Sequence, residues 1–249
     1  MEIVIGFMIA TAIGLTGVGA GVITTPVLIL FFHVPAAEAV GTALIFSTVV
    51  KLLGAPVYLI RKQVHWRTLL LLIAGGVPGV LSGSLLLNRM RSQHTDSFLY
   101  GLLGFTIIVF ASLNLYKMIR KPALNALRDR SRWLPLIALP IGVETGFSAA
   151  GAGAIGSVAL LGLTALSAAQ VVGTDMFFGL AMSSIGGGIQ LTAGHYVAAL
   201  LLKLTVGGVA GVVVGANMSA ILPSRPMRVA LSLWIIALGA QLCWRGLTL

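Results

Sequence analysis

The sequence predicts an all-α polytopic integral membrane protein, built from two pseudo-symmetric repeats of four hydrophobic segments each. Three observations predict it. The 249 residues are 58% hydrophobic and 9% charged, with a mean hydropathy of +1.04, whereas soluble domains carry about 25% charged residues. Several apolar runs reach or approach about 20 residues, the length of a helix that crosses a bilayer. The second half also repeats the first at an offset of 132 positions. The runs are continuous rather than alternating, which argues against a β-barrel. In lipid every backbone polar group needs an internal partner, which makes helices the default.

Taken in order, residues 3–32 form the first segment. It is interrupted by Gly14-Leu-Thr-Gly-Val-Gly-Ala-Gly21, poor helix-forming sequence because ordered glycine loses much backbone freedom. His33-Val-Pro35 reads as a turn, since proline holds its predecessor extended. The second segment is residues 36–60, and the third is 68–87 with Gly75, Gly79 and Gly83 on one face. A polar loop is expected over 88–96, then a fourth segment over 97–116. The second half follows as 133–163 (broken at Gly146-Phe-Ser-Ala-Ala-Gly-Ala-Gly153), 168–192, 196–222 and 227–244. The domains are therefore 1–116, a first transmembrane repeat; 117–132, a basic cytoplasmic linker; and 133–249, a second repeat.

The offset needs no gap from Gly14 to about Leu86. Glycine meets glycine at 14/146, 19/151, 21/153, 41/173, 54/186, 75/207, 76/208, 79/211 and 83/215, and Thr42 meets Thr174. Internal repeats are typical of transporters, which need two similar gates around one site.

The net charge is +10. The basic residues lie mainly at segment ends, where they orient a membrane protein rather than bind nucleic acid. If each broken run is re-entrant, the halves are inverted. Arg61, Lys62, Arg67, the six linker cations, Arg225 and Arg228 then share one side, eleven against the three of Arg89, Arg91 and Arg245. If each broken run spans, the halves are parallel and the division is ten to four. Cytoplasmic loops are the basic ones, so the inverted arrangement is preferred, by one residue. Nothing at the start reads as a removable leader. Cys243 stands alone, so no internal disulfide is expected, and no Cys/His metal cluster, cofactor or nucleotide motif is present.

Two kinds of residue carry the chemistry. The glycine breaks come first. Helix ends at such a break leave N–H groups unpaired, and these attract anions with help from the helix dipole. A site for a small anion is expected at Gly17, Gly19, Gly21, Gly151 and Gly153, with hydroxyls from Thr16, Thr24, Thr25 and Ser148. Gly75, Gly79 and Gly83 instead read as close helix packing. Intramembrane charge comes second: Lys51, Glu144 and Asp175. A charge at bilayer depth costs about 2.5–3.5 kcal/mol and is by default functional. Lys51 and Asp175 pair across the halves, or they divide the work, Lys51 holding an anion while Asp175 or Glu144 carries a proton. A plain salt bridge joining the halves is the third reading. Thr42 and Thr174 either coordinate substrate or satisfy a local backbone group. Lys203 reads as snorkelling to an interface.

Gly14-Leu-Thr-Gly-Val-Gly-Ala-Gly-Val-Ile-Thr-Thr-Pro-Val-Leu28 resembles the glycine-rich, proline-terminated first motif of the TauE/SafE sulfite exporter family, also called the toluene-sulfonate uptake permease family. Ala39-Val-Gly-Thr42 with Lys51-Leu-Leu-Gly54 resembles its second motif, and Val172-Gly-Thr-Asp175 the second-half copy. Two departures are plain: Ala149-Ala150 stands where Gly17-Val18 stands in the first half, and Val158 stands in place of Pro26. The resemblance implies transport of sulfite, sulfoacetate or another organosulfonate across the bacterial inner membrane. The expectation is thus a secondary transporter working by alternating access, with possible proton coupling and no enzymatic activity. The rivals are an anion channel, a membrane-embedded enzyme using Glu144 or Asp175, and an assembly subunit.

Overall fold

The computed structural model describes residues 1–16, 20–93, 96–119, 131–218 and 224–248. Every regular element among them is helical. The first broken segment gives α1 (Glu2–Thr16) and α2 (Ala20–Phe32), with Gly17, Val18 and Gly19 outside the described residues. His33, in the left-handed region at φ 56°, closes α2 and lets the Val34 N–H reach back to the Leu28 carbonyl at 3.2 Å. Pro35 then opens α3 (Ala36–Ile60). The chain continues through α4 (Trp66–Gln93) and α5 (Asp96–Ile119).

After a short 3₁₀ turn come α6 (Leu134–Ser148), the single turn α7 (Gly151–Ala154) and α8 (Gly156–Leu163). α9 (Ala168–Thr192) starts at a capping box in which Ser167 and Gln170 satisfy each other's backbone N–H. α10 (Ala198–Met218) and α11 (Ser224–Thr248) complete the order.

The expected segments 36–60 and 168–192 coincide with α3 and α9. The expected polar loop over 88–96 is a correction. α4 runs on to Gln93, so Asn88, Arg89 and Arg91 are helical. Polar side chains do not end a helix that has left the hydrocarbon, because water there serves them without breaking the backbone ladder. Most of the basic linker, residues 120–130, lies outside the described residues.

The outer surface is strongly apolar, and a set of polar and charged side chains is buried within a largely apolar core. Leu70, Leu85, Phe105, Leu202 and Val206 are exposed, while Thr24, Thr25, Lys51, Glu144, Ser148 and Asp175 are buried. Among the described residues, four helices (α3, α4, α10 and α11) contain stretches long and apolar enough to cross a membrane. α1 and α2 are shorter apolar helices.

Glycine contacts fix the helix directions. Gly75, Gly79 and Gly83 of α4 lie on the backbone carbonyls of Pro135, Leu139 and Val143 of α6. Gly207, Gly211 and Gly215 of α10 lie in the same way on Ile3, Phe7 and Thr11 of α1. Each residue of the second set is 132 positions from its counterpart in the first. No side chain fits at these six places, which lets the backbones touch as small-xxx-small faces do.

Numbers rise together along both pairs, so α4 and α6 run one way with each other, and so do α1 and α10. α3 runs with α10, since Phe46 and Val50 meet Gly208 while Gly54 meets Val212. α4 likewise runs with α9. α3 and α9 oppose each other: Leu44 meets Gly186, Lys51 meets Gly179 and Gly54 meets Met176. α5 and α11 are also antiparallel, Gly101 meeting Gly246 and Gly104 meeting Gly239.

Candidate functional site

The second break is built by three local devices. α6 stops at Ala149, which takes the left-handed conformation (φ 65°) while its N–H still reaches the Thr145 carbonyl at 2.9 Å. That conformation costs an alanine about 1–2 kcal/mol. The Ser148 hydroxyl helps hold it by accepting the Ala150 N–H at 3.1 Å. The Thr145 hydroxyl accepts the Ala152 N–H at 2.7 Å. Gly153 then turns through φ 99°, a conformation that glycine adopts without steric cost, before α8 begins. Two break amides are thus already taken by hydroxyls of the same segment.

The first break lies against the second. Gly21 packs on the Ala149 backbone, so closely that a methyl group there would collide with the Ala149 carbonyl. Thr25 donates its hydroxyl to the Ser148 carbonyl at 3.1 Å. Glu144, one turn before Ser148, accepts the Ser148 hydroxyl at 2.5 Å, and Thr106, whose hydroxyl donates to the Leu103 carbonyl at 2.9 Å, lies beside it. Gly21, Thr25, Ser148 and Glu144 therefore form one buried cluster.

A second cluster lies where α3, α8 and α9 meet. Asp175 is 3% exposed and accepts the Ser157 hydroxyl at 2.5 Å. Its other carboxylate oxygen presses on the Gly156 backbone. Lys51, 4% exposed, lies over Gly179, near enough for the Asp175 charge to act on it. A buried ammonium and carboxylate offset part of each other's desolvation cost.

The remaining expected residues fall elsewhere. The Thr24 hydroxyl turns back to the Ala20 carbonyl at 2.7 Å. Gly151 packs on the Ile141 carbonyl and Thr145. Thr42 and Thr174 stand near the starts of α3 and α9, where their hydroxyls accept the N–H of Val197 and of His65, each at 3.0 Å. Thr16 is the last residue of α1, and Gly17 and Gly19 lie outside the described residues. Lys203 is half exposed and pairs with Glu2 at 3.1 Å.

Sequence reasoning missed Ser157, Thr145 and Thr106. The offset of 132 carried one signal: Ser157 is the counterpart of Thr25, a hydroxyl one helical turn beyond a break glycine.

The sulfite exporter TauE/SafE family model matches residues 2–242. The chain is similar to three Bacillus subtilis (strain 168) proteins. It is 26% identical to the probable membrane transporter protein YjnA over 249 residues, covering 96% of this chain and 98% of that one. It is 27% identical to the probable membrane transporter protein YdhB, covering 93% and 94%. It is 23% identical to the probable membrane transporter protein YunE, covering 98% and 97%. No solved structure gives a significant match.

Proposed function

The chain belongs to the sulfite exporter TauE/SafE family, and from that premise we propose that it is a secondary permease for a small sulfur-containing anion such as sulfite, sulfoacetate or another organosulfonate. It is a multi-pass membrane transporter and not an enzyme. The inner membrane is its proposed location.

The reading rests above all on Gly21 packing against Ala149. Two helix interruptions, far apart in the chain, meet beside a buried cluster of polar side chains, Thr25, Ser148 and Glu144. Irregular backbone at membrane depth is tolerated where it is buried in protein or lines a cavity, and transporter sites are typically built from such discontinuous helices. The proposed anion site comprises Gly17, Gly19, Gly21, Thr25, Ser148, Gly151 and Gly153, with Lys51 as the cation. Glu144 and Asp175 are the proposed ion-coupling acids.

The helix directions favour inverted repeats. α1 runs with α10, and α10 with α3, so α1 and α3 share a direction. In the proposed arrangement the chain returns through α2, and α1–α2 is a re-entrant pair. The opposed directions of α3 and α9 supply the inversion. Alternating access then rocks one repeat against the other.

Counterflow in proteoliposomes tests the reading. Liposomes loaded with unlabelled sulfoacetate or sulfite are expected to accumulate labelled substrate transiently and saturably, with no effect from a carboxylate such as acetate. Linear, unsaturable flux would mean a channel, and no exchange with any sulfur oxyanion would sink the substrate class.

A further inference from the structure

Asp175 and Ser157 together carry a step that the site as proposed above does not explain. Asp175 is buried, whereas Ser157, on α8 four residues beyond the break glycine Gly153, is only partly buried. A serine hydroxyl has one hydrogen to give. At 2.5 Å that hydrogen is committed to the Asp175 carboxylate, a short charge-assisted bond.

Resting on the anion site proposed above, we infer that Ser157 is a positioning residue that switches between Asp175 and the anion, so that proton uptake by Asp175 and anion binding reinforce each other. With Asp175 ionised, Ser157 donates to it and offers nothing to a ligand. A proton arriving from solvent forms an O–H bond on Asp175. That O–H donates to the Ser157 oxygen, and the serine hydrogen, its own O–H bond intact, rotates toward the anion. The same proton removes a negative charge beside the site and releases Lys51 from its counter-charge. No other bond forms or breaks.

The surroundings of Asp175 single out this pair. Lys51 faces it from α3. His65, in the α3–α4 turn, touches the adjacent Thr174 through its backbone. α4 carries its cations, Arg67, Arg89 and Arg91, near its ends. α6 carries Glu144, which is bound to its own Ser148. α7 has no titratable side chain, and α8 supplies Ser157 itself.

The test measures binding of sulfoacetate to the purified full-length protein by calorimetry across the neutral pH range, where the probe's own charge is constant. Affinity is expected to rise as pH falls, by at most tenfold per unit for one linked proton, a limit set by about 1.4 kcal/mol per pH unit. Ser157→Ala is expected to weaken binding by about tenfold or more and to flatten the pH profile. Ser157→Thr, which keeps the hydroxyl, retains the slope. Asp175→Asn binds with little dependence on pH.

A wild-type pH slope persisting in Ser157→Ala or in Asp175→Asn would overturn the switch while leaving the anion site standing. So would a flat profile in the wild-type protein. Should Ser157→Ala fail to fold, Asp175→Asn decides alone. Absence of any binding or exchange of sulfur oxyanions by the wild-type protein would remove the site, and the switch with it.

Discussion

The Thr174 hydroxyl accepts the backbone N–H of His65 at 3.0 Å, pinning the start of α9 to the turn between α3 and α4. Thr42 does the same for Val197 before α10, also at 3.0 Å. The glycines before them join in: Gly173 lies on the Gln63 carbonyl and Gly41 on the His195 carbonyl. Each donor and acceptor of one clasp is 132 positions from its equivalent in the other. Gly-Thr at a helix start is here a docking device for the turn that precedes another helix.

Thr42→Val and Thr174→Val are therefore expected to destabilise the protein by about 1–3 kcal/mol each, the cost of leaving a partly buried N–H without its acceptor. Unfolding in detergent would show it as a lowered Tm. Sulfoacetate affinity per folded molecule should stay within about twofold of wild type. A large loss of affinity at unchanged Tm would instead make these hydroxyls substrate ligands.

Gly21→Ala brings a methyl group into the Ala149 carbonyl, and backbone there cannot yield as a side-chain tip does. Overpacking of this kind costs about 1–3 kcal/mol. The expected result is a protein that inserts but exchanges substrate at least about tenfold more slowly, because the two breaks no longer seat together. Gly101→Ala, which meets open space, is the control and should match wild type in expression and flux. Equal flux in both variants would separate the break contact from transport.

These contrasts show what the sequence made legible. α3 and α9 fall on their expected bounds because Pro35 and Ser167 punctuate their starts and continuous apolar runs carry them on. The packing role of Gly75, Gly79 and Gly83 was readable from their spacing alone. Ser157 was not, since a single serine in an apolar run carries no pattern and its partner, Asp175, is on another helix. The two threonine clasps were equally hidden. Whether a hydroxyl serves a ligand or a distant amide depends on contacts 109 and 155 residues away in the chain. The length of α4 escaped for a different reason, because hydropathy marks where lipid ends and not where a helix ends.

Lys51→Ala should abolish exchange while the protein still inserts, because it removes the cation proposed to hold the anion. It also leaves Asp175 without its counter-charge, and breaking a buried pair costs about 3–5 kcal/mol. The double variant Lys51→Ala/Asp175→Ala separates the two effects. It is expected to recover most of the lost stability, measured as Tm, and none of the transport. Recovery of exchange in the double variant would reduce the pair to a structural salt bridge.

The last prediction concerns topology. α5 leads to the linker, and α11 runs antiparallel to α5, so the start of α11 lies at the linker end of the molecule. With Cys243 replaced by serine, cysteines at Arg132 and at Ser224 should both react with an impermeant thiol reagent from the cytoplasmic side of oriented vesicles. Basic loops are retained there, and the linker and the α3–α4 turn are both rich in arginine and lysine. Parallel repeats require the opposite for Ser224, since its counterpart in the first half, Ser92, lies at the end of α4 next to α5. Reaction of Ser224→Cys from the outer face, with Arg132→Cys reacting from the inner, would exclude the inverted arrangement and with it two re-entrant pairs entering from opposite sides.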